Sequence, residues 1–294
     1  MTTLRHFAAL SAIAVFYAAS MLYAETVNLH VRSRDPETGG AKTVVEEWNP
    51  QETAIIVCDM WDKHWCKAAT SRVGEMAPAM NKVLKIAREK GVLIIHAPSE
   101  TLEYYKDNPA FKRGLDIEPS PEIAKFGGKW CNDPLPLEKG KKQPIDDKDG
   151  GCDCEPKCRG GKAWSSQIAV LEIDPDKDLI SDNGTVIGSY MKQRGIKNVI
   201  LMGVHLNMCV RGRSFGMRRN VMFGNNTVLM RDMTDTMYNS RSFPHVSHFE
   251  GTELMIQYTE KYICPSITST DFTGEPRFNF KGNEGNVVTG ENKR

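Results

Sequence analysis

The stretch "VILMGVHLNMCVRGRSFGMRRN" at residues 199–220 runs from an apolar segment through a glycine to a cysteine that a helix-like pattern follows. Continuous apolar residues are typical of a strand that is buried on both faces of a parallel sheet. The pattern therefore places Cys209 just past a buried strand, where a helix begins. Ligand sites in such sheets lie beyond the carboxyl ends of the strands, so Cys209 is a candidate functional residue.

The same alternation of strand and helix continues along the chain. Residues 76–87 have helical apolar spacing and end before Gly91, and further helices are predicted to end at Gly195, to begin near Met208 and to span 252–262. Strand-like apolar runs occupy residues 53–61, 92–97, 167–173, 198–204 and 226–232. This order predicts a three-layer α/β/α sandwich around a mainly parallel sheet.

The two ends of the chain differ from this pattern. Arg5 precedes the apolar run "FAALSAIAVFYAASMLYA", which is typical of a signal peptide over residues 1–24. The mature protein would then be exported and periplasmic or secreted, with no stable membrane insertion after signal removal. An N-terminal membrane anchor is the alternative. Residues 273–294 form a polar C-terminal tail.

Between these ends, residues 25–52 form an N-terminal extension. Two strand-like runs separated by the turn-like "DPETGGA" predict a β-hairpin there. The main domain is predicted over residues 53–272, with a cysteine-rich insertion at about 99–166. The hairpin is able to pair between subunits, so a homo-oligomer is an open expectation.

The composition limits the partners of the chain. The 294 residues carry a formal net charge of +1 and are 40% hydrophobic, which fits one large domain. Lysine and arginine are spread along the chain and balanced by acidic residues. We therefore expect a small-molecule substrate and no nucleic-acid partner.

The chain contains eight cysteines in two kinds of setting. Cys58 and Cys209 each end an apolar run. Four others lie in or beside a segment rich in Gly, Lys and Asp and are candidates for disulfides in an exported protein: Cys131, Cys152, Cys154 and Cys158. A zinc site from the same four residues is the alternative, although the spacing is not that of a standard zinc knuckle.

Asp59 follows the first buried strand and should share a sheet edge with Cys209. A thiol in the first turn of a helix has its pKa lowered by the unpaired amides and the helix dipole. A carboxylate across the cleft is able to take the thiol proton. The alternative is that Cys209 is a small buried hydrophobic residue and that Asp59 caps a loop.

Three segments resemble a known family: "TAIIVCDMWDKHWC", "GVHLNMCVRGRSFGMRRN" and "NTVLMRDMTDTMY". They are similar to the isochorismatase-like cysteine hydrolases, which include nicotinamidases and carbamoyl-amide hydrolases. The resemblance covers about residues 50–270 and implies a six-stranded parallel sheet with a Cys, Asp and Lys triad. Cys209 matches the nucleophile and Asp59 the catalytic aspartate.

The family also implies an oxyanion hole. A non-proline cis peptide four residues before the cysteine would here join Val204 and His205. The backbone amides of His205 and Cys209 would then be the two oxyanion donors.

The sequence does not give a single match for the triad lysine of the family. Aligning the family's pattern from the left places Asn183 at the lysine position, whereas counting back from Gly195 reaches Lys177. Lys177 is the candidate triad lysine, and Lys63 and Lys162 are other sources of positive charge.

Ser99 and Thr101 occupy the positions of the family's metal ligands, so neither a catalytic metal nor a cofactor is expected. Trp61, Lys63 and His64 follow Asp59 directly and, with His205, are candidate substrate-pocket residues. For the two histidines, a packing role is an equal alternative.

The leading hypothesis is an exported cysteine hydrolase that cleaves a C–N bond of a small amide or carbamoyl compound through a thioester on Cys209. A catalytically inactive binding module with the same fold is the alternative. A third hypothesis is a thiol redox or metal-binding protein built around "CDCEPKC".

Overall fold

Eight strands form a single sheet in the computed structural model, which describes residues 26–283. Their order across the sheet is β2-β1-β8-β7-β6-β3-β4-β5. The strands are β1 (Val27–Arg34), β2 (Ala41–Trp48), β3 (Thr53–Cys58), β4 (Leu93–Ala97), β5 (Leu179–Ile180), β6 (Asn198–Val204), β7 (Asn226–Asp235) and β8 (Ser266–Ile267).

Seven α-helices accompany the sheet within the described residues. The three longest are α1, α6 and α4, and the others have seven residues or fewer. The helices are α1 (Lys67–Glu89), α2 (Pro109–Leu115), α3 (Pro121–Ala124), α4 (Gly184–Gln193), α5 (Met217–Met222), α6 (His248–Tyr262) and α7 (Thr270–Thr273).

Strands β3 to β8 are parallel to their neighbours in this group. The predicted N-terminal hairpin is present as β1 and β2, and it extends the same sheet because β1 pairs antiparallel with β8 at Arg32 and Ser266. The α/β class and the mainly parallel sheet are confirmed. The expected count of six strands is wrong, because the hairpin adds two strands to the edge of the parallel group.

The central strands β3 and β6 fix the position of the site. Every residue of β3 is buried, as its unbroken apolar sequence predicts. Cys58 pairs with Gly203, whose φ is +107°. A Cβ atom at residue 203 would lie 2.1 Å from the Cys58 carbonyl oxygen, so only glycine allows this approach. The residues that follow both strands therefore emerge at the same edge.

Helix α1 covers one face of the sheet. Its buried side includes Met76, Met80, Val83 and Leu84, as the helical spacing in the sequence predicts. The helix starts earlier than expected, directly after Cys66. On the other face, α4 and α6 contribute Ile187 and Met255 to a second apolar cluster.

The strand predicted over residues 167–173 is wrong. Gln167 makes only an isolated antiparallel bridge to Trp61, and its side chain lies 3.0 Å from Nδ1 of His96. The chain then turns, with the Leu171 amide donating to the Ile168 carbonyl. The edge position beside β4 is taken instead by β5, so the short apolar run packs as a turn.

The predicted signal peptide lies outside the described residues, as does half of the predicted C-terminal tail. Within residues 26–283, no helix is long and apolar enough to cross a membrane. The insertion at 99–166 contains short helices and turns and no strand.

Candidate active site

Cys209 lies in a short π-helical turn, Leu206–Val210, that follows β6. The Val210 amide donates to the His205 carbonyl and closes this turn. The thiol side chain is buried, with 8% of the residue exposed. The helix predicted to begin near Met208 is therefore a turn, and α5 begins only at Met217.

Asp59 is the first residue after β3 and is fully buried. Its amide donates to the Ala97 carbonyl, and its backbone has a positive φ of 49°. Such a conformation is uncommon for a residue with a side chain and often occurs at functional sites. Oδ1 accepts a hydrogen bond of 2.8 Å from the Ser99 amide, and the Cys209 thiol is close enough to influence the pKa of this carboxylate. The structure thus brings the predicted cysteine and aspartate together.

Arg213 supplies the positive charge at this site. Its Nε donates to Oδ2 of Asp59 at 3.0 Å, and its positive charge also acts on the pKa of the Cys209 thiol. The Arg213 amide donates to the Cys209 carbonyl, so a single turn of the backbone places both side chains on the same face of that turn. The sequence interpretation missed Arg213, although its spacing of four residues from Cys209 in "CVRGR" was a usable signal.

The structure does not bring Lys177 to the site. Its side chain is exposed and lies 3.6 Å from Oδ2 of Asp174. It precedes β5, whose Leu179 pairs with Ile95, so Lys177 lies towards the opposite end of the strands from Asp59. The assignment of Lys177 as the triad lysine is therefore corrected, because Arg213 occupies the place beside Asp59.

The other candidates for the lysine also lie elsewhere. Asn183 caps α4, where its side chain accepts from the Thr185 amide. Lys162 donates to the Glu100 carbonyl, and Lys63 is exposed. Lys63 therefore differs from the other pocket candidates Trp61 and His64, which are buried.

Burial raises the pKa of the Cys209 thiol well above its usual range, and the negative charge of Asp59 raises it further. The positive charge of Arg213 opposes both effects. The lowered thiol pKa expected from a helix N-terminus is wrong, because the thiol is buried, near a carboxylate, in a five-residue turn. Cys209 consequently rests as a thiol and needs a base to become a nucleophile.

Asp59 is suited to be that base. Burial raises its pKa, while Arg213 and the hydrogen bonds from Ser99 oppose the rise. A carboxylate with a raised pKa accepts a proton more readily than an ordinary aspartate. Desolvation disfavours the charge of Arg213, but the neighbouring Asp59 outweighs it and raises the arginine pKa. The charged pair is therefore held together.

The peptide bond between Val204 and His205 is cis, at the position expected from the sequence. His205 caps the π-helical turn that carries Cys209. The role of the His205 and Cys209 amides as oxyanion donors stays a prediction.

Aromatic side chains form a wall beside the thiol. Trp61 stacks on Trp164, with ring centroids 4.4 Å apart and an interplanar angle of 15°. Trp61 belongs to the apolar cluster that contains Cys209, and Trp164 packs against this cluster. His64 continues the stack, with its ring 5.8 Å from that of Trp164. Trp164 comes from the insertion, and its part in the site has no signal in the sequence.

His205 lies against this wall, with its ring centroid 5.1 Å from that of His64. Burial lowers the pKa of His205 to about 3 and that of His64 to about 4, so both rings are neutral at pH 7. Among residues 26–283, no hydrogen-bond partner reaches Nε2 of His205. Its ring is therefore a buried polar group with one free nitrogen.

The predicted disulfides are not present. All eight cysteines lie in the described part of the chain, and each is a free thiol. Cys131 lies apart, with its Sγ atom 3.8 Å from Sδ of Met222. Cys152, Cys154 and Cys158 gather instead around Cys66, which the sequence interpretation left out.

No protein-family model and no curated protein matches the chain. Solved structures that are similar to it include a cysteine hydrolase from Pseudomonas syringae pv. phaseolicola 1448A, with 16% identity, 76% of this chain and 91% of that chain covered, and a TM-score of 0.46. An isochorismatase-like hydrolase from Alkaliphilus metalliredigens has 15% identity, with coverage of 75% and 97% and a TM-score of 0.42. N-carbamoylsarcosine amidase from Thermoplasma acidophilum has 12% identity, with coverage of 74% and 96% and a TM-score of 0.39. At these values the likeness carries no conclusion about chemistry.

Proposed function

We propose that the chain is an isochorismatase-like cysteine hydrolase that cleaves a C–N bond of a small amide or carbamoyl compound. The observation that carries this proposal is the ion pair of buried Asp59 with partly buried Arg213, which lies near the buried Cys209 thiol at the carboxyl ends of β3 and β6. A nucleophile, a base and a fixed positive charge close together are the parts that acyl transfer needs.

The first half of the reaction forms a thioester. The Cys209 thiol gives its proton to the Asp59 carboxylate, and the sulfur attacks the carbonyl carbon of the substrate. The amides of His205 and Cys209 hold the negative oxygen of the tetrahedral intermediate. When the C–N bond breaks, the leaving nitrogen takes the proton from Asp59 and departs as ammonia or an amine.

The second half releases the acid. Asp59, again ionised, takes a proton from a water molecule, and the resulting hydroxide attacks the thioester carbon. The C–S bond then breaks, and the Cys209 sulfur recovers the proton from Asp59. Arg213 lies close to both groups, so its positive charge stabilises whichever of them is negative at each step.

The closed surroundings favour a small substrate. Cys209 is 8% exposed and Trp61 is 5% exposed, so little of the nucleophile is open to a large substrate. Nε1 of Trp164 and Nε2 of His205 are buried and lack hydrogen-bond partners in the described part of the chain. These two groups are suited to bind a polar substituent of the substrate. We also propose that the protein is exported, on the basis of the apolar N-terminal run.

The test is turnover of a panel of small amides, ureas and N-carbamoyl amino acids, read as release of ammonia or amine. We expect at least one compound to be hydrolysed by the wild-type chain and by Cys264→Ser, a variant of another buried cysteine. Cys209→Ser should be inactive. Turnover that persists in Cys209→Ser would overturn the proposal.

An inactive binding module is the second candidate, and the burial of the Cys209 thiol, which raises its pKa, favours it. Binding of panel members without turnover, detected by a rise in melting temperature, would support this candidate.

A further inference from the structure

A second group of cysteines lies outside the active site. We call Cys66, Cys152, Cys154 and Cys158 the cysteine cluster. The Sγ atoms of Cys66, Cys152 and Cys154 all lie within 4.8 Å of one another, and those of Cys66 and Cys154 are 3.8 Å apart. The thiol of Cys158 contacts those of Cys152 and Cys154. Three sulfur atoms therefore face a common centre, and that of Cys158 lies beside two of them.

The separation of the sulfur atoms distinguishes two chemistries. A disulfide requires an S–S distance of about 2.05 Å. Four thiolates around one zinc ion, with Zn–S bonds of about 2.3 Å, form a tetrahedron whose edges are about 3.8 Å long. The Sγ atoms of Cys66 and Cys154 have this second spacing. We propose that the cysteine cluster binds one zinc ion as a tetrathiolate.

The local fold supplies the ligands from two segments. Cys66 directly precedes α1, a helix of 23 residues. The other three come from the insertion, in a Cys-x-Cys-x3-Cys arrangement. At the start of α1, the Ala68 amide donates to Sγ of Cys154 at 3.3 Å. Amide donors and the positive end of a long helix stabilise thiolates, as the outer shell of a metal site does.

The charges around the cysteine cluster are compatible with a bound zinc ion. One Zn²⁺ ion and four thiolates carry a net charge of −2, and binding releases the four thiol protons to solvent. Lys67, Lys157 and Arg159 line the surface beside Cys154 and Cys158. Their positive charges offset part of the charge of the proposed site, since Glu155 lines the same surface and Oδ1 of Asp153 lies 3.9 Å from Sγ of Cys66.

The proposed zinc ion would fasten the insertion beside the turn that carries Cys209. Gly151, next to Cys152, lies against the Met237 backbone. The Asn207 side chain donates to the Met237 carbonyl and to Asp147 of the insertion. Four cysteine ligands leave no open position for substrate, so the role is structural.

The test uses the full chain, purified in the presence of a mild reductant and without chelators, with metal content measured by inductively coupled plasma mass spectrometry. We expect about one zinc per wild-type chain. Cys154→Ser and Cys158→Ser should lose most of it. Cys131→Ser removes a buried cysteine of the same insertion outside the cluster, so it should retain the metal.

Replacement of zinc by Co²⁺ in the folded wild-type chain gives a readout that needs no variant. The visible bands of tetrahedral thiolate cobalt are expected, and their absence would overturn the proposal. A metal-free chain would do the same, whether peptide mapping finds these four cysteines as free thiols or in disulfides. Iron in place of zinc would overturn the assignment of the metal.

Discussion

Cys209 and the cysteine cluster use the same side chain in two different surroundings. Cys209 lies near one carboxylate and one guanidinium group at the end of a buried strand. Each thiol of the cluster contacts other thiols at the junction of a long helix and the insertion. The first setting suits a nucleophile because it provides a proton acceptor, and the second suits a metal ion because it provides several soft ligands.

The difference between the two settings shows that the groups around a cysteine determine its chemistry. The expectation of an exported chain with eight cysteines invites a count of disulfides, yet the structure pairs none of them. If the comparison is right, substitutions should separate the two regions: changes around Cys209 should affect turnover and leave zinc in place, whereas changes in the cluster should do the reverse.

The largest effect is expected for Cys209→Ser. Loss of the nucleophile should reduce turnover at least about 10⁴-fold, measured by amine release from an active panel compound. The zinc content should stay that of the wild type. A variant that lost both activity and zinc would break the separation of the two regions.

Asp59→Asn should reduce kcat about 10³-fold, because the thiol loses the group that takes its proton. In the wild type, the acid limb of the pH profile should lie above the usual aspartate range, since burial raises the pKa of Asp59. Activity is then lost as the pH falls through this raised value. An acid limb at or below the ordinary aspartate pKa would contradict the assignment of Asp59 as base.

Arg213→Gln should reduce kcat about 100-fold and move the acid limb to higher pH. The reason is that Arg213 lowers the pKa of Asp59, so its removal lets the pKa rise further. Arg213→Lys keeps the charge and should restore most of the pH profile while losing the directed Nε bond. A pH profile that does not change in Arg213→Gln would show that the charge does not act on Asp59.

Removal of zinc should act mainly on stability. Chelation, or Cys158→Ser, should lower the melting temperature by about 5–10 °C, as expected for the loss of a few kcal/mol in a chain of this size. Turnover per folded molecule should fall less than about tenfold, because the metal has no part in the reaction. Loss of turnover equal to that of Cys209→Ser would place the cluster in the active site.

The smallest effect is expected for Gly151→Ala. A Cβ atom there would lie 2.2 Å from the Met237 carbonyl oxygen, and the backbone has a φ of +67°. We expect a fall in melting temperature of about 3–6 °C, for a cost of roughly 1–2 kcal/mol. Gly140→Ala is the matched control, because residue 140 has a φ of +75° with nothing within 4 Å. Equal shifts would show that backbone strain, and not packing against Met237, sets the cost.

The sequence was informative where periodicity was strong. Continuous apolar runs identified β3 and β6, and this placed Asp59 and Cys209 at the same edge of the sheet. The run at 167–173 misled because a short apolar segment packs as well in a turn as in a strand. The count of strands failed because pairing between β1 and β8 is a tertiary contact that no local pattern reports.

The sequence predicted only the part of the site that follows from these strands. Arg213 was missed because the positive charge was sought at the position of the family's lysine, on the strand before β6. In this chain the positive charge comes from the turn after β6. Cys66 was missed as a member of the cluster because it is 86 residues from Cys152 in sequence. Trp164 lies in the irregular insertion, whose path no periodicity reveals.

The most direct test of the central claim is a search for the acyl-enzyme. Wild-type protein would be mixed with an active panel compound, quenched with acid within the first turnovers, and analysed by intact mass and peptide mapping. We predict a mass increase equal to the acyl group, located on Cys209 and absent in Cys209→Ser. Turnover with no adduct on Cys209, or an adduct on a cysteine of the cluster, would contradict the account.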